Sequence, residues 1–158
     1  MKVFCPALLS GKYIPNKFAH RGVPGGQNVS LPIHWGDIPP GTKSFVFSVT
    51  DTHASSLNWV HWFVINVPHW VREIPERASG QRDRMPPGAL ELRNSFGELG
   101  YNGPSPPKNS GPHSYRIAVH ALNVETLRVG PFSAVEECRA EIRLSSIASA
   151  ETVGIFQR

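Results

Sequence analysis

Cysteine is scarce. There are two in 158 residues, Cys5 and Cys138, at opposite ends of the chain and in no C-x-x-C spacing. That excludes a disulfide-stapled scaffold and a thiolate metal cluster, and in a reducing compartment it predicts two free, small apolar residues. Long hydrophobic runs are missing as well. No stretch approaches the roughly 20 apolar residues of a membrane-spanning helix. The opening "MKVFCPALLSGKY" is interrupted by Pro6 and followed by no small-residue cleavage site, so a cytoplasmic location is the expectation. Charge is sparse and unclustered. Sixteen Lys and Arg oppose 12 Asp and Glu, for a formal net charge of +4. The arginines form no basic block or aromatic-interleaved stripe, so no nucleic-acid partner is expected. No serine sits in a G-x-S-x-G turn, and no internal repeat or linker divides the chain. The expectation is one domain, 1–158, long enough to bury a core.

What is abundant is turn chemistry, with 15 prolines and 14 glycines between short apolar runs. That pattern predicts an all-β architecture. "KSFVFSVTD" (43–51) reads as a strand ending near Asp51. "NWVHWFVINV" (58–67), rich in aromatic and β-branched residues, reads as a central strand covered on both faces. "SYRIAVHALN" (114–123) reads as a third, with Tyr115, Ile117, Val119 and Ala121 on one face. "ETVGIFQR" reads as a short closing strand. One helix is predicted over "SAVEECRAEIRL", capped by Ser133 with Glu136 completing a capping box. Residues 75–112 carry seven of the 15 prolines and little periodicity. Phe96, Leu99 and Tyr101 give this segment something to pack with, so an ordered loop is expected.

A polar cluster stands out against this apolar pattern. Asp51 and His53 are two apart and face one way if extended. His61 lies on the next strand, and His113 and Tyr115 open the third. The strand ends therefore converge at one edge of a sheet. Four readings fit these residue types: a zinc or iron site, an Asp–His acid–base pair, a phosphate site built from imidazole and phenol donors, or buried polar groups satisfying one another. His34 and His69 read as surface residues, and the four tryptophans as packing groups.

Four stretches then resemble the phosphatidylethanolamine-binding protein (PEBP) family, in its prokaryotic, Raf-kinase-inhibitor-like branch. "GQNVSLPIHWGDIPPGTKSFVFSVTD" resembles the family's N-S-P-x-L-x-W segment and the following strand. "DTHA" with "WVHWFVINVP" resembles D-P-D-A-P and W-x-H-W. "GYNGPSPPKNSGPHSYRIAVHAL" resembles G-Y-x-G-P-x-P-P and G-x-H-x-Y, and "AETVGIFQR" resembles the closing segment. Together they span nearly the whole chain in order.

The resemblance implies a Greek-key β-sandwich with a large antiparallel central sheet, a smaller sheet and one or two peripheral helices. It also implies an anion pocket at one end of the large sheet, formed by Asp51, His61, Pro106, Pro107, His113 and Tyr115, with Trp59 as a wall. The implied ligands are phosphate, a phosphorylated small molecule or a phospholipid headgroup, held without cofactor or metal. The histidines are expected to donate, and Asp51 to fix an imidazole tautomer. Alternative roles are inhibition of a kinase or protease by protein contact, and a divergent enzyme using Asp51, His53 or His61. Homodimers occur in this branch. The chain departs from the pattern at His53, where the motif has a carboxylate, and this makes the rim more basic. Thr52 and Ser55 replace motif prolines, which implies a less constrained loop. His20 and Phe156 stand where Cys and Tyr are common.

Overall fold

A computed structural model describes residues 1–8 and 12–158. Residues 9–11, part of the opening run read above for a leader, lie outside the described residues. The elements in chain order are β1 (Lys2–Phe4), β2 (Ile33–Gly36), β3 (Ser44–Asp51), β4 (Trp59–Pro68), β5 (Glu73–Ile74), β6 (Leu90–Glu91), β7 (His113–Leu122), α1 (Val135–Ser145) and β8 (Ser146–Phe156). They form two antiparallel sheets, a small one in the order β1-β2-β5 and a large one in the order β6-β4-β3-β7-β8.

Alternation along the long strands divides the apolar residues between two cores. Phe45, Phe47 and Val49 of β3 and Tyr115, Ile117, Val119 and Ala121 of β7 face inward. There they meet Ile33, Trp35 and Ile74 of the small sheet in one cluster. Val46, Ile65 and Leu122 face outward and meet Cys138 and Ile142 of α1 in a second. With sheet faces covered on both sides, burying each large side chain contributes about 1.5–3 kcal/mol. β4 is indeed covered on both faces, but β3 is the central strand. β4 has only the two-residue β6 beyond it.

Three local expectations change. The helix begins one residue later than the capping box predicts. Ala134 is the N-cap and no side chain caps it, because the Ser133 hydroxyl accepts the Gly130 N–H instead. β8 begins at Ser146, not near Glu151, and pairs along the whole length of β7. Its first half, "SIASA", lacks aromatic residues, so the ten-residue ladder of β7 recruits it rather than its own propensity. In the long segment, Tyr101 is buried, whereas Phe96 and Leu99 are largely exposed.

That segment is ordered by polar bonds. Glu91 accepts from Trp62 Nε1 at 2.7 Å, from Ser79 Oγ at 2.5 Å and from the Gly80 N–H at 2.9 Å. The Tyr101 hydroxyl donates to Phe18 O at 2.8 Å. Gly103 lies so close to the backbone of residues 18–20 that an added Cβ would fall 2.1 Å from Phe18 O. Only glycine lets the two segments meet there. These ties set residues 102–107 over one end of the inner core.

Candidate functional site

In an antiparallel sheet the end of one strand lies beside the starts of its neighbours. Asp51, the last residue of β3, pairs with Trp59 at the start of β4 and with Tyr115 near the start of β7. A cavity of about 530 Å³ opens here, lined by Asp51, Trp59, His61, His113 and Tyr115 from the sheet side. Ser55, Ser56 and Leu57 from the β3–β4 turn, with Ser95, Phe96, Ser105, Pro106 and Pro107 from the long segment, complete it. Every residue that the resemblance implies for the pocket lines it. His53 does not.

A β-bulge aims His61. Val49 pairs with Trp62 and Thr50 with Val60, so His61 is the extra residue on β4. The bulge turns Val60 to the outer core while Trp62 stays in the inner one, and His61 joins the inner side. Its ring stands edge-on to Tyr115, with centroids 5.1 Å apart, and to Phe96 at 5.3 Å. His61 Nδ1 lies 2.6 Å from the carbonyl oxygen of Asn102, which can only accept, so this nitrogen carries the proton. Nε2 is left as a lone pair. Burial pushes the His61 pKa down to about 4, against the raising effects of the Asn102 carbonyl and Asp51. The expectation that both histidines donate to a ligand therefore fails at His61, which is an acceptor at neutral pH.

Asp51 is fully engaged within the protein. Oδ1 accepts the His53 N–H at 2.9 Å, and Oδ2 accepts from the Ser56 hydroxyl at 2.8 Å and from His113 Nδ1 at 2.6 Å. Asp51 and His113 are buried, His113 to 1% exposure. On the other side of that ring, Nε2 lies 2.9 Å from Ser110 Oγ, whose proton goes to Pro107 O at 2.8 Å. Both ring nitrogens thus face oxygens that accept. Asp51 and Ser110 hold the ring in place, and Ser110 ties it to the Pro106–Pro107 wall.

The 52–58 turn is not loose, despite lacking the motif prolines. Besides the two bonds to Asp51, the His53 ring accepts the Ser55 N–H at 3.3 Å and caps a short 3-10 turn. Leu57 and Asn58 then take left-handed conformations, with φ of 49° and 59°. His53 lies behind the cavity wall, its ring stacked on His113 with centroids 4.0 Å apart and planes 16° apart.

The Tyr115 hydroxyl is buried and has no hydrogen-bond partner among the described residues. Burial, then the negative charge of Asp51 and a weak side-chain interaction of the hydroxyl with that carboxylate, short of a full hydrogen bond, push its pKa far above the ordinary phenol range, so it stays a neutral donor. Trp59, 42% exposed, forms the mouth with Phe96, their rings edge-on at 5.5 Å. Arg158 donates to Ser105 Oγ, a lining residue, at 3.1 Å, which brings a cation next to the long-segment wall. Among the described residues no group of three or more His, Cys, Asp or Glu is arranged to hold a metal ion.

The sequence reading missed Ser56, Phe96, Asn102, Ser110 and Arg158. Ser110 and Asn102 flank recognised motif residues, but the bonds they make run between distant segments. Of the other histidines, His69 is exposed, as expected, whereas His34 lies half-buried within β2 rather than on the surface. His20 stacks on Phe96 with centroids 6.1 Å apart. Cys5 and Cys138 are free and buried.

Residues 6–157 match the family model described as phosphatidylethanolamine-binding protein. The UPF0098 protein YbhB of Escherichia coli K12 is 34% identical over 158 residues, covering 99% of each chain. A UPF0098 protein of Aquifex aeolicus is 32% identical, covering all of this chain and 89% of its own. The crystal structure of E. coli YbcL, described as a new member of the mammalian PEBP family, superposes with a TM-score of 0.90 at 32% identity. That match covers 99% of this chain and 98% of YbcL.

Proposed function

The chain belongs to the phosphatidylethanolamine-binding protein family, and on that premise we propose that its single domain is a non-enzymatic cytoplasmic module for a small phosphoryl ligand. The ligand sits at the end of β3, between His61 and Tyr115. One observation carries this reading: two buried residues of opposite hydrogen-bonding character, His61 and Tyr115, line the same cavity, and the protein does not satisfy the Tyr115 donor. A buried donor without a partner costs about 1–3 kcal/mol, which a ligand oxygen recovers.

The pair suits a phosphomonoester. Tyr115 donates to a charged phosphoryl oxygen, while His61 Nε2 accepts the proton of a P–OH group. Arg158, bonded to Ser105, adds attraction for the remaining charge. Asp51 and His113 act as positioning residues. Pro106 and Pro107 give the cup a wall with no N–H groups.

Titration with inorganic phosphate, phosphoethanolamine and dimethyl phosphate, followed by histidine and tyrosine resonances, tests the reading. Phosphate and phosphoethanolamine are expected to shift His61 and Tyr115. Dimethyl phosphate, a diester with no P–OH, is expected to bind more weakly. No movement at either residue up to tens of millimolar phosphate would overturn the proposal.

A protein target, such as a kinase or protease, is a second reading. It is favoured by Leu57, 87% exposed beside the cavity mouth, with Trp59 next to it. Binding of such a target would be lost on Leu57→Asp without loss of phosphate affinity.

A further inference from the structure

The outer face of the large sheet holds a second pocket. The eleven residues of α1 span about 16 Å and cover only one end of that face. Under the helix the outward positions are apolar, including Val46 and Leu122. Farther along they become Ser48 and Thr50 on β3 and Arg116, Ala118 and His120 on β7. A cavity of about 320 Å³ lies at this change of polarity. Its floor is Phe63, Ala118 and Ile142, all buried. Its walls carry three guanidinium groups, those of Arg116 on the sheet and of Arg139 and Arg143, one helical turn apart on α1.

The cations outnumber their partners. Glu151 is the one carboxylate in the lining and lies 4.0 Å from Arg116, at the limit of an ion pair. Arg139 pairs with Glu136. Arg143 has no ion-pair partner among the described residues. Arg143, in the last turn of α1, favours the helix dipole and Arg139 has its i,i+3 partner, but neither requires that the three guanidinium groups gather around one concavity.

We propose that this pocket is a second ligand site, for a small amphiphilic oxyanion: one phosphate or carboxylate group on a compact aromatic or branched aliphatic body. The guanidinium fork matches both oxyanions with paired hydrogen bonds. The floor of Phe63, Ala118 and Ile142 takes the apolar body. A volume near the lower end of ligand cavities, about 300–1,000 Å³, admits a ring with one substituent rather than a dinucleotide. Burial and neighbouring Arg116 lower the His120 pKa, so the half-buried ring adds no fourth charge and is free to accept or donate. The site shares no lining residue with the inner cavity, so the two can be occupied independently.

Residue-resolved NMR on the intact chain tests this with phenyl phosphate, benzoate and inorganic phosphate. Phenyl phosphate or benzoate is expected to shift the His120 ring and the Ala118 amide. Inorganic phosphate, lacking the apolar body, should bind there about tenfold more weakly. The better of the two aromatic probes assigns the head group. The double variant Arg116→Gln/Arg143→Gln changes partly exposed side chains, and its amide dispersion reports that it folds. It should weaken these shifts by tenfold or more while His61 and His113 respond as before. If His120 stays still at about 10 mM of both aromatic probes, or moves equally in the double variant, the pocket is not an oxyanion site. Because His61 and His113 report the inner cavity separately, failure at one site is distinguishable from failure at the other.

Discussion

Asp51 Oδ2 sits 2.6 Å from His113 Nδ1, and both side chains are shut away from water. The contact joins the end of β3 to the start of β7 and fixes the floor on which the rest of the inner cavity is assembled. The carboxylate that most suggests chemistry in the sequence therefore has every near bond inside the protein.

Replacing it shows how much rests on that contact. Asp51→Asn replaces one carboxylate oxygen by an amide nitrogen, so either the His53 N–H or the Ser56 hydroxyl and His113 Nδ1 must face a donor. Leaving a buried donor unpaired costs about 1–3 kcal/mol. Urea denaturation at pH 7 should show a loss of that order. A midpoint unchanged from the parent chain would mean that the pair is not a structural tie.

Tyr115→Phe should do the reverse. The hydroxyl has no partner within the protein, so its removal should not destabilise the unliganded chain and should raise its stability by up to about 1–3 kcal/mol. A hydrogen bond to a charged oxygen contributes about 1.5–3 kcal/mol, so phosphate affinity measured by calorimetry should fall tenfold or more. Destabilisation together with unchanged affinity would remove Tyr115 from the site.

His61 makes stability depend on pH in a defined window. The folded ring stays neutral down to about pH 4, while an unfolded imidazole takes a proton near pH 6.5. Between these values the unfolded chain binds the extra proton. The contribution of His61 is therefore complete above pH 6.5 and declines as pH falls towards 4, by up to about 3 kcal/mol. Urea midpoints from pH 7.5 to 4 should fall less steeply in His61→Phe than in the parent chain. Parallel profiles would show that His61 is not held neutral by burial.

Glu91→Gln addresses the long segment. An amide cannot accept at both of its ends, so either the exposed Gly80 N–H or the Trp62 and Ser79 donors lose their partner, at a cost of about 1 kcal/mol or more. Hydrogen exchange should quicken at Tyr101, whose N–H donates to the same Ser79 hydroxyl at 2.8 Å. Unaltered exchange there would mean that the segment is held by other contacts.

Much of the fold is legible because alternation is a local property. The faces of β3 and β7 follow from residue spacing alone, as does the pairing of Cys138 with Ile142 on α1. The extra length of β8 was not legible. A run of small residues has no face of its own until β7 offers it a ladder. The capping box failed because Ser133 had a competing backbone partner in Gly130, and local sequence does not rank such partners. The looseness expected of the 52–58 turn failed for a related reason: Asp51 and His53 supply by hydrogen bonding what proline supplies covalently.

The sequence by itself determined which chemical groups gather at the end of the large sheet, since the motifs around Asp51, His61, His113 and Tyr115 fall at strand ends. The tertiary structure decided what those groups can do. A single bulge turned His61 inward, the carbonyl of Asn102 from a segment 41 residues away accepts its one N–H, and the same fold placed His53 behind His113 rather than in the cavity. Donor and acceptor roles depend on which partner arrives across the fold, and that information is not carried in residue type or spacing.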